Sequence, residues 1–273
     1  MSATKRLIVN ADDFGFTHDV NEGIIEAHTK GILTATTLMA NGNAFEHAVQ
    51  LARANPTLDV GCHLVLVGGR SLLIPYRPLP KTVTELMQRL AFGKMRVYEE
   101  FSAQIGKLIA AGVYPTHLDT HKHTHLAPPV LSAIARVSAD FGIHWVRRPF
   151  DLPITAAQGE APLLKKFTTR GLGVVRAQFH RVLSKQGCRT TDHFAGFQLT
   201  GRFKTAELVA LIRALPDGLT ELMTHPGRCG TELNAAKTRL KQSRQDELEA
   251  LTSAEAKAAL EESGVHVVGY RDL

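Results

Sequence analysis

Cysteine is scarce in this chain. Its three residues, Cys62, Cys188 and Cys229, are odd in number and far apart, which argues against a disulfide framework or a cysteine-rich zinc site and makes a reducing cytoplasm the expected compartment. Aromatics make up only 6% of residues and no nucleic-acid motif accompanies the net charge of +6, so nucleic acid is not an expected partner. Long apolar runs are missing as well. The first of them, Leu7-Ile8-Val9, is cut off by Asn10, Asp12 and Asp13, too early for a signal peptide, and no stretch approaches the roughly 18 apolar residues of a membrane span. Neither 22 Gly nor 12 Pro in 273 residues suggests a fibrous or low-complexity chain, and 44% hydrophobic residues are enough for a substantial core.

The positive charge is concentrated. Residues 161–191 hold seven basic side chains (Lys165, Lys166, Arg170, Arg176, Arg181, Lys185, Arg189) and no acidic one, which leaves the rest of the chain at 6 − 7 = −1. Val175, Phe179, Val182 and Leu183 fall at helical offsets there, so residues 151–191 read as a basic helical insertion in one domain spanning 1–273. Such a face would be solvated, form a homodimer contact, or lie on anionic headgroups as a peripheral attachment at the inner membrane surface.

Short apolar runs alternate with helical patterns along the whole length. Strands are expected near 5–10, 33–39, 58–65, 116–120, 144–147, 193–199, 219–224 and 265–268. Helices are expected over 21–30, 44–54, 82–90, 97–111, 128–141, 205–215 and within 243–263, with an irregular loop at 68–80. Repeated βα units of this length predict a parallel sheet with covered faces, closed as a (β/α) barrel or doubly wound.

Histidines gather where sites form in such folds. Four of them (His117, His121, His123, His125) occupy the nine residues 117–125, where 13 in 273 would place about 0.4 by chance. They stand at the end of an expected strand, on the rim where α/β enzymes bind their ligands. In an extended chain His117, Asp119 and His121 share a face, and a turn would then pair His121 with His125. We expect His121 as a metal ligand, His125 as a second ligand or substrate contact, and Asp119 as the group that fixes an imidazole tautomer. Asp12 and Asp13 follow the first strand at the same rim. Adjacent residues point opposite ways, so one would bind an ion and the other remain for proton transfer. His63 faces the pocket if Cys62 faces away, and His225, halted at its strand end by Pro226-Gly227, is available as a proton donor. One Asp with two His makes an open hydrolytic metal site suited to Zn²⁺, with Mg²⁺ or Mn²⁺ as alternatives.

The segments N-A-D-D-F-G (10–15), G-C-H-L (61–64), T-H-L-D-T-H-K-H-T-H (116–125) and H-P-G (225–227) together resemble the YdjC-like carbohydrate deacetylases over nearly the whole chain. The His-rich segment and the following P-P-V-L resemble the branch associated with hopanoid biosynthesis. The resemblance implies a distorted (β/α) barrel of about seven parallel strands, polysaccharide-deacetylase-like, and removal of an acetyl group from an N-acetylglucosamine-type sugar or glycolipid by one divalent ion, Mg²⁺ or Zn²⁺. It makes Asp13, His63 and His121 the metal ligands, with His125 the alternative to His121, Asp12 the general base and His225 the general acid. Substrate contacts are expected from Asn41, His125, Arg147 and Arg148. Two other readings compete: a phosphoesterase using the same ligands, and a non-catalytic carbohydrate or lipid-surface module.

Overall fold

The computed structural model describes residues 4–152 and 165–273. In chain order the elements are β1 (Lys5–Phe14), α1 (His18–Lys30), β2 (Ala35–Leu38), α2 (Phe45–Ala54), β3 (Asp59–Leu64), α3 (Val83–Ala91), α4 (Val97–Ala110), β4 (His117–Thr120), α5 (Pro128–Phe141), β5 (Trp145–Val146) and α6 (Lys165–Lys185). They continue with β6 (His193–Ala195), α7 (Thr205–Arg213), β7 (Gly218–Thr224), α8 (Thr231–Ala235), α9 (Gln242–Thr252), α10 (Ala254–Glu262) and β8 (Val265–Val267). Seven strands run in the order β5-β4-β3-β2-β1-β7-β6, all parallel. β1 pairs with β7 along one edge; along the other it meets β8 over its first three residues and β2 from Asn10 onward. The outermost strands are bridged by backbone hydrogen bonds, Val146 N to Arg189 O (2.9 Å), Arg189 N to His144 O (2.7 Å) and Leu152 N to Phe194 O (2.7 Å), so the sheet curls into a distorted barrel.

Strand alternation sorts the side chains. On β1, Leu7, Val9 and Ala11 join the main core beneath the surrounding helices, whereas Ile8 belongs to a separate buried cluster with Ala35, Leu219 and Tyr270. Above Ile8, on the same face of the strand, come Asn10 and Asp12. His117, on β4, reaches Asn10 across the interior and stacks on Tyr270 at 3.8 Å. Gly61 of β3 makes room for it, since a Cβ there would stand 2.6 Å from the His117 ring. The interior is therefore apolar at one end and ionic above.

Helix signals act locally as expected. Thr17 caps α1 by accepting from Val20 N, and Pro128-Pro129 open α5, which ends on Gly142 in the left-handed region (φ 67°). β1 runs four residues past its expected end at Asn10, because the polar stretch 10–13 is buried inside the barrel where its pattern reads as loop. Of the expected basic insertion, residues 153–164 lie outside the described residues. Phe179 and Leu183 of α6 are buried, while Arg176, Arg181 and Lys185 are exposed. Among the described residues no helix is long and apolar enough to cross a membrane.

Candidate active site

Three side chains from three strand ends converge at the barrel mouth. Asp13 Oδ1 lies 3.5 Å from His63 Nε2 and 3.3 Å from His121 Nδ1, and the two imidazole nitrogens are 3.3 Å apart. Asp13 gets there through an irregularity in the β1–β2 register, where it adopts φ 70°, a left-handed conformation that Asp tolerates better than most residues. A backbone turn at Lys122 (φ 57°) and His123 (φ 50°) follows His121.

The set fits a metal ion on an observation independent of residue type: Asp13 Oδ1 is buried and has no hydrogen-bond partner. Zinc bonds of about 2.1 Å at tetrahedral angles separate ligand atoms by about 3.4 Å. The triangle has that size. His125, the alternative ligand, lies elsewhere: its Nδ1 engages Thr120 Oγ1 (2.5 Å) and its Nε2 the Arg147 carbonyl (3.1 Å), so both ring nitrogens are occupied.

The three candidate ligands are held from behind. Asp119 Oδ1 accepts from His63 Nδ1 at 2.7 Å, which fixes the tautomer and leaves Nε2 facing Asp13. The other Asp13 oxygen, Oδ2, accepts from Arg244 Nη2. Burial alone would raise the Asp13 pKa, but Arg244 and His121 hold it well below the usual carboxylate range. At His63 burial pushes the pKa down, but Asp119, Asp12 and Asp13 outweigh it and lift the pKa to about 9.

The raised His63 pKa has a measurable sign. Between about pH 6 and 8 the ion-free imidazole holds a proton that a cation must displace, so affinity should rise about tenfold per pH unit across that range. Competition titrations against a metallochromic chelator at three pH values measure this, and a flat dissociation constant would contradict it.

Arg147 lies below the ligands, its side chain 0% exposed. Its Nη1 and Nη2 make a bidentate pair with Asp12 (2.8 and 2.7 Å), Nη1 also reaches Asp119 Oδ2 (2.6 Å), and Nε reaches Glu221 Oε1 (2.7 Å). Expected as a substrate contact, it is instead enclosed by three carboxylates. Burial would raise the Asp12 pKa; Arg147 and the neighbouring imidazoles hold it well below the ordinary range. His225 Nε2 stands 3.9 Å from Asp12 Oδ2, and burial pushes its pKa down to about 4, so the ring is neutral near pH 7.

Helix α9 contributes two residues that sequence reasoning missed. Arg244, besides holding Asp13, is almost completely buried, and Glu247 one turn later accepts from the His225 backbone N–H at 2.5 Å. Burial pushes the Glu247 pKa up to about 7. The remaining expected contacts are peripheral to the triangle. Arg148 is buried and donates to the Asp192 carbonyl, away from Asp12. Asn41 donates to the Arg70 carbonyl (3.2 Å), tying the β2–α2 loop to the long segment after β3. His117 is enclosed by Asn10, Thr116 and Tyr270.

Known proteins resemble this chain over nearly its whole length. The chain is 32% identical over 277 residues to a carbohydrate deacetylase of Brevibacillus brevis, covering 98% of this chain and 99% of that protein. It is 32% identical over 275 residues to a carbohydrate deacetylase of Geobacillus stearothermophilus, with 97% of each covered. A crystal structure from Enterococcus faecalis V583, of a protein provisionally described as acting in cellobiose-phosphate cleavage, shares the fold at a TM-score of 0.77, with 24% identity and 98% of both chains covered. The profile of YdjC-like proteins matches residues 6–262, and the chain belongs to that family.

Proposed function

We propose that the protein is a metal-dependent carbohydrate N-deacetylase acting on an N-acetylglucosamine-type sugar. The observation that carries the reading is the unpartnered Asp13 Oδ1 facing two imidazole nitrogens beside an arginine-held Asp12. The names of the two deacetylase relatives support the substrate class. Asp13, His63 and His121 would hold one divalent ion, Zn²⁺ by ligand spacing or Mg²⁺; when bound, it polarises the acetyl carbonyl and acidifies water.

The chain's own residues then divide the proton work. Asp12, kept ionised by Arg147, accepts the proton of the attacking water at Oδ2. His225 starts neutral, so it cannot be the resting acid. Once its Nε2, 3.9 Å from Asp12 Oδ2, is drawn within hydrogen-bond reach, it takes up that proton and delivers it to the sugar nitrogen as the C–N bond breaks, leaving acetate and a free amine.

The finer reading is a glucosaminyl lipid of the hopanoid type, supported by the motif resemblance in residues 116–131 and by the exposed basic side chains of α6 as a contact for anionic headgroups. Acetate release from N,N′-diacetylchitobiose and from an N-acetylglucosaminyl lipid, with and without chelator, tests both levels. We expect release that stops on chelation and returns with metal, and Asp13→Ala should retain less than about a tenth of the bound ion because only two imidazoles remain. Phosphodiester cleavage without acetate release by the metal-loaded protein would favour a phosphoesterase; ligand binding with neither would leave a carbohydrate-binding module.

A further inference from the structure

Apolar exposure is unevenly distributed over the molecule. Of the ten large hydrophobic side chains exposed among the described residues, seven lie in the β3–α4 connection, which includes α3, or in the connections that follow β4 and β6: Ile74, Tyr76, Val83, Met87, Phe92, Leu126 and Phe197. Tyr114, between α4 and β4, lies at the opposite end. Five of the seven fall within 19 residues. Topology sets their side: β3 ends at the mouth with His63, α4 starts there to run back and feed β4, and the connection between them leaves from and returns to that face.

Residues 68–80 form a hairpin-like finger. Gly68 N bonds Pro80 O (2.8 Å), Ser71 N bonds Arg77 O (2.9 Å) and Leu79 N bonds Gly69 O (3.2 Å). Buried Glu100 at the start of α4 accepts from Ser71 Oγ and from the backbone of Leu72 (3.0 Å) and Leu73 (3.2 Å). The finger is thus anchored, and its tip carries Ile74, Pro75 and Tyr76 outward; Tyr76 has φ 65° and is 85% exposed. Phe92, 74% exposed, stands at the end of α3. From Arg70 to Arg96 there are six basic residues (Arg70, Arg77, Lys81, Arg89, Lys94, Arg96) and one acidic, Glu85, which pairs with Arg89.

We propose that this finger and α3 dock on an anionic lipid bilayer, inserting Tyr76, Ile74 and Phe92 at headgroup depth and laying the barrel mouth against the membrane. Aromatic tips on a basic stem match a surface that is apolar beneath and negative above. Leu126 and Phe197 add apolar points on two other connections around the mouth, and the cleft between the finger and the start of α4 is lined by Arg77, Arg89, Lys94 and Arg96 beside Leu73 and Ile74, which suits anionic headgroups over an apolar layer better than the apolar face of another protein's helix or strand. The inference rests on the reading of the site as one that acts on a lipid-linked sugar, and it names a surface distinct from α6.

Flotation of the full chain with phosphatidylglycerol-containing and pure phosphatidylcholine vesicles tests it. We expect binding to the anionic vesicles, weakened at least about tenfold in the double variant Tyr76→Asp, Phe92→Asp and reduced by added salt, with turnover of diacetylchitobiose unchanged. A depth probe separates docking from folding damage. Phe92→Trp should show blue-shifted emission quenched by brominated lipid, and Tyr114→Trp should not. Normal turnover of the soluble sugar without vesicle binding would overturn docking while leaving the deacetylase reading intact; binding without acetate release would do the reverse. A parent that is dimeric in light scattering, becomes monomeric in the double variant and ignores vesicles would overturn docking in favour of a second copy.

Discussion

Asp12→Asn should lower kcat/KM by about 10²- to 10⁴-fold while metal content stays at the parent's level. The asymmetry follows from where the two adjacent carboxylates point. Asp13 faces the imidazoles and is held from behind by Arg244, so the triangle survives intact in the variant. Asp12 faces His225 and takes both terminal nitrogens of Arg147, so its replacement removes the carboxylate that stands 3.9 Å from His225 Nε2. An amide at position 12 keeps one acceptor for Arg147 but turns an NH₂ towards its other donor, so a modest loss of thermal stability should accompany the loss of turnover. Metal analysis and steady-state kinetics on the same preparation check the prediction. Parent-like turnover would remove Asp12 from the proton path, and loss of the ion would mean that the two aspartates share the ligand role.

The convergence of Asp13, His63 and His121 was legible in the sequence because a rigid rule connects position to place: residues at the C-terminal ends of parallel strands gather at one mouth, however far apart they lie in the chain. Asp13, His63 and His121 all obey it. His125 was the alternative to His121 on spacing, and the turn at Lys122 and His123, two consecutive left-handed residues that no propensity announces, takes its ring to Thr120 and the Arg147 carbonyl instead of Asp13. Arg244 and Glu247 were hidden for a different reason. In Q-S-R-Q-D-E-L-E-A-L-T the buried face of α9 is itself charged, so a search for apolar periodicity passes over the residues that matter. Their signal was weak: an Arg and a Glu three apart share a face with Leu248 and Leu251, and a helix seated on a barrel mouth buries that face. Arg147 was read as a substrate contact because its position at the rim was clear and its depth was not. Glu221, in the middle of the apolar strand Leu219–Thr224, was the available clue, since a carboxylate in a fully covered parallel strand requires a buried cation.

That cation makes Arg147→Met the most damaging substitution expected in the protein. Asp12, Asp119 and Glu221 would all remain buried without the guanidinium they share, Asp119 keeping only His63 as a charged partner, and breaking a buried pair from one side typically costs about 3–5 kcal/mol. Set against a total stability of about 5–15 kcal/mol, the variant should unfold many degrees below the parent or fail to accumulate. The sign of its pH dependence is diagnostic. With Arg147 present, Asp12 has a depressed pKa, and its contribution to stability is present above its unfolded value and lost as pH falls through the folded one. Without Arg147, Asp12 and Glu221 lose the charge that opposes their burial, and burial pushes their folded pKa values above the unfolded ones, so stability is retained at low pH and lost as pH rises. The deficit of Arg147→Met relative to the parent should therefore shrink towards about pH 5 and widen towards about pH 8. Arg147→Lys keeps the charge but not the fork, and should recover part of the stability while leaving Asp12 poorly aimed and turnover low. Denaturation of the three proteins at several pH values measures both effects, and an Arg147→Met variant that melts within a degree or two of the parent would show that the carboxylates do not depend on the guanidinium they surround.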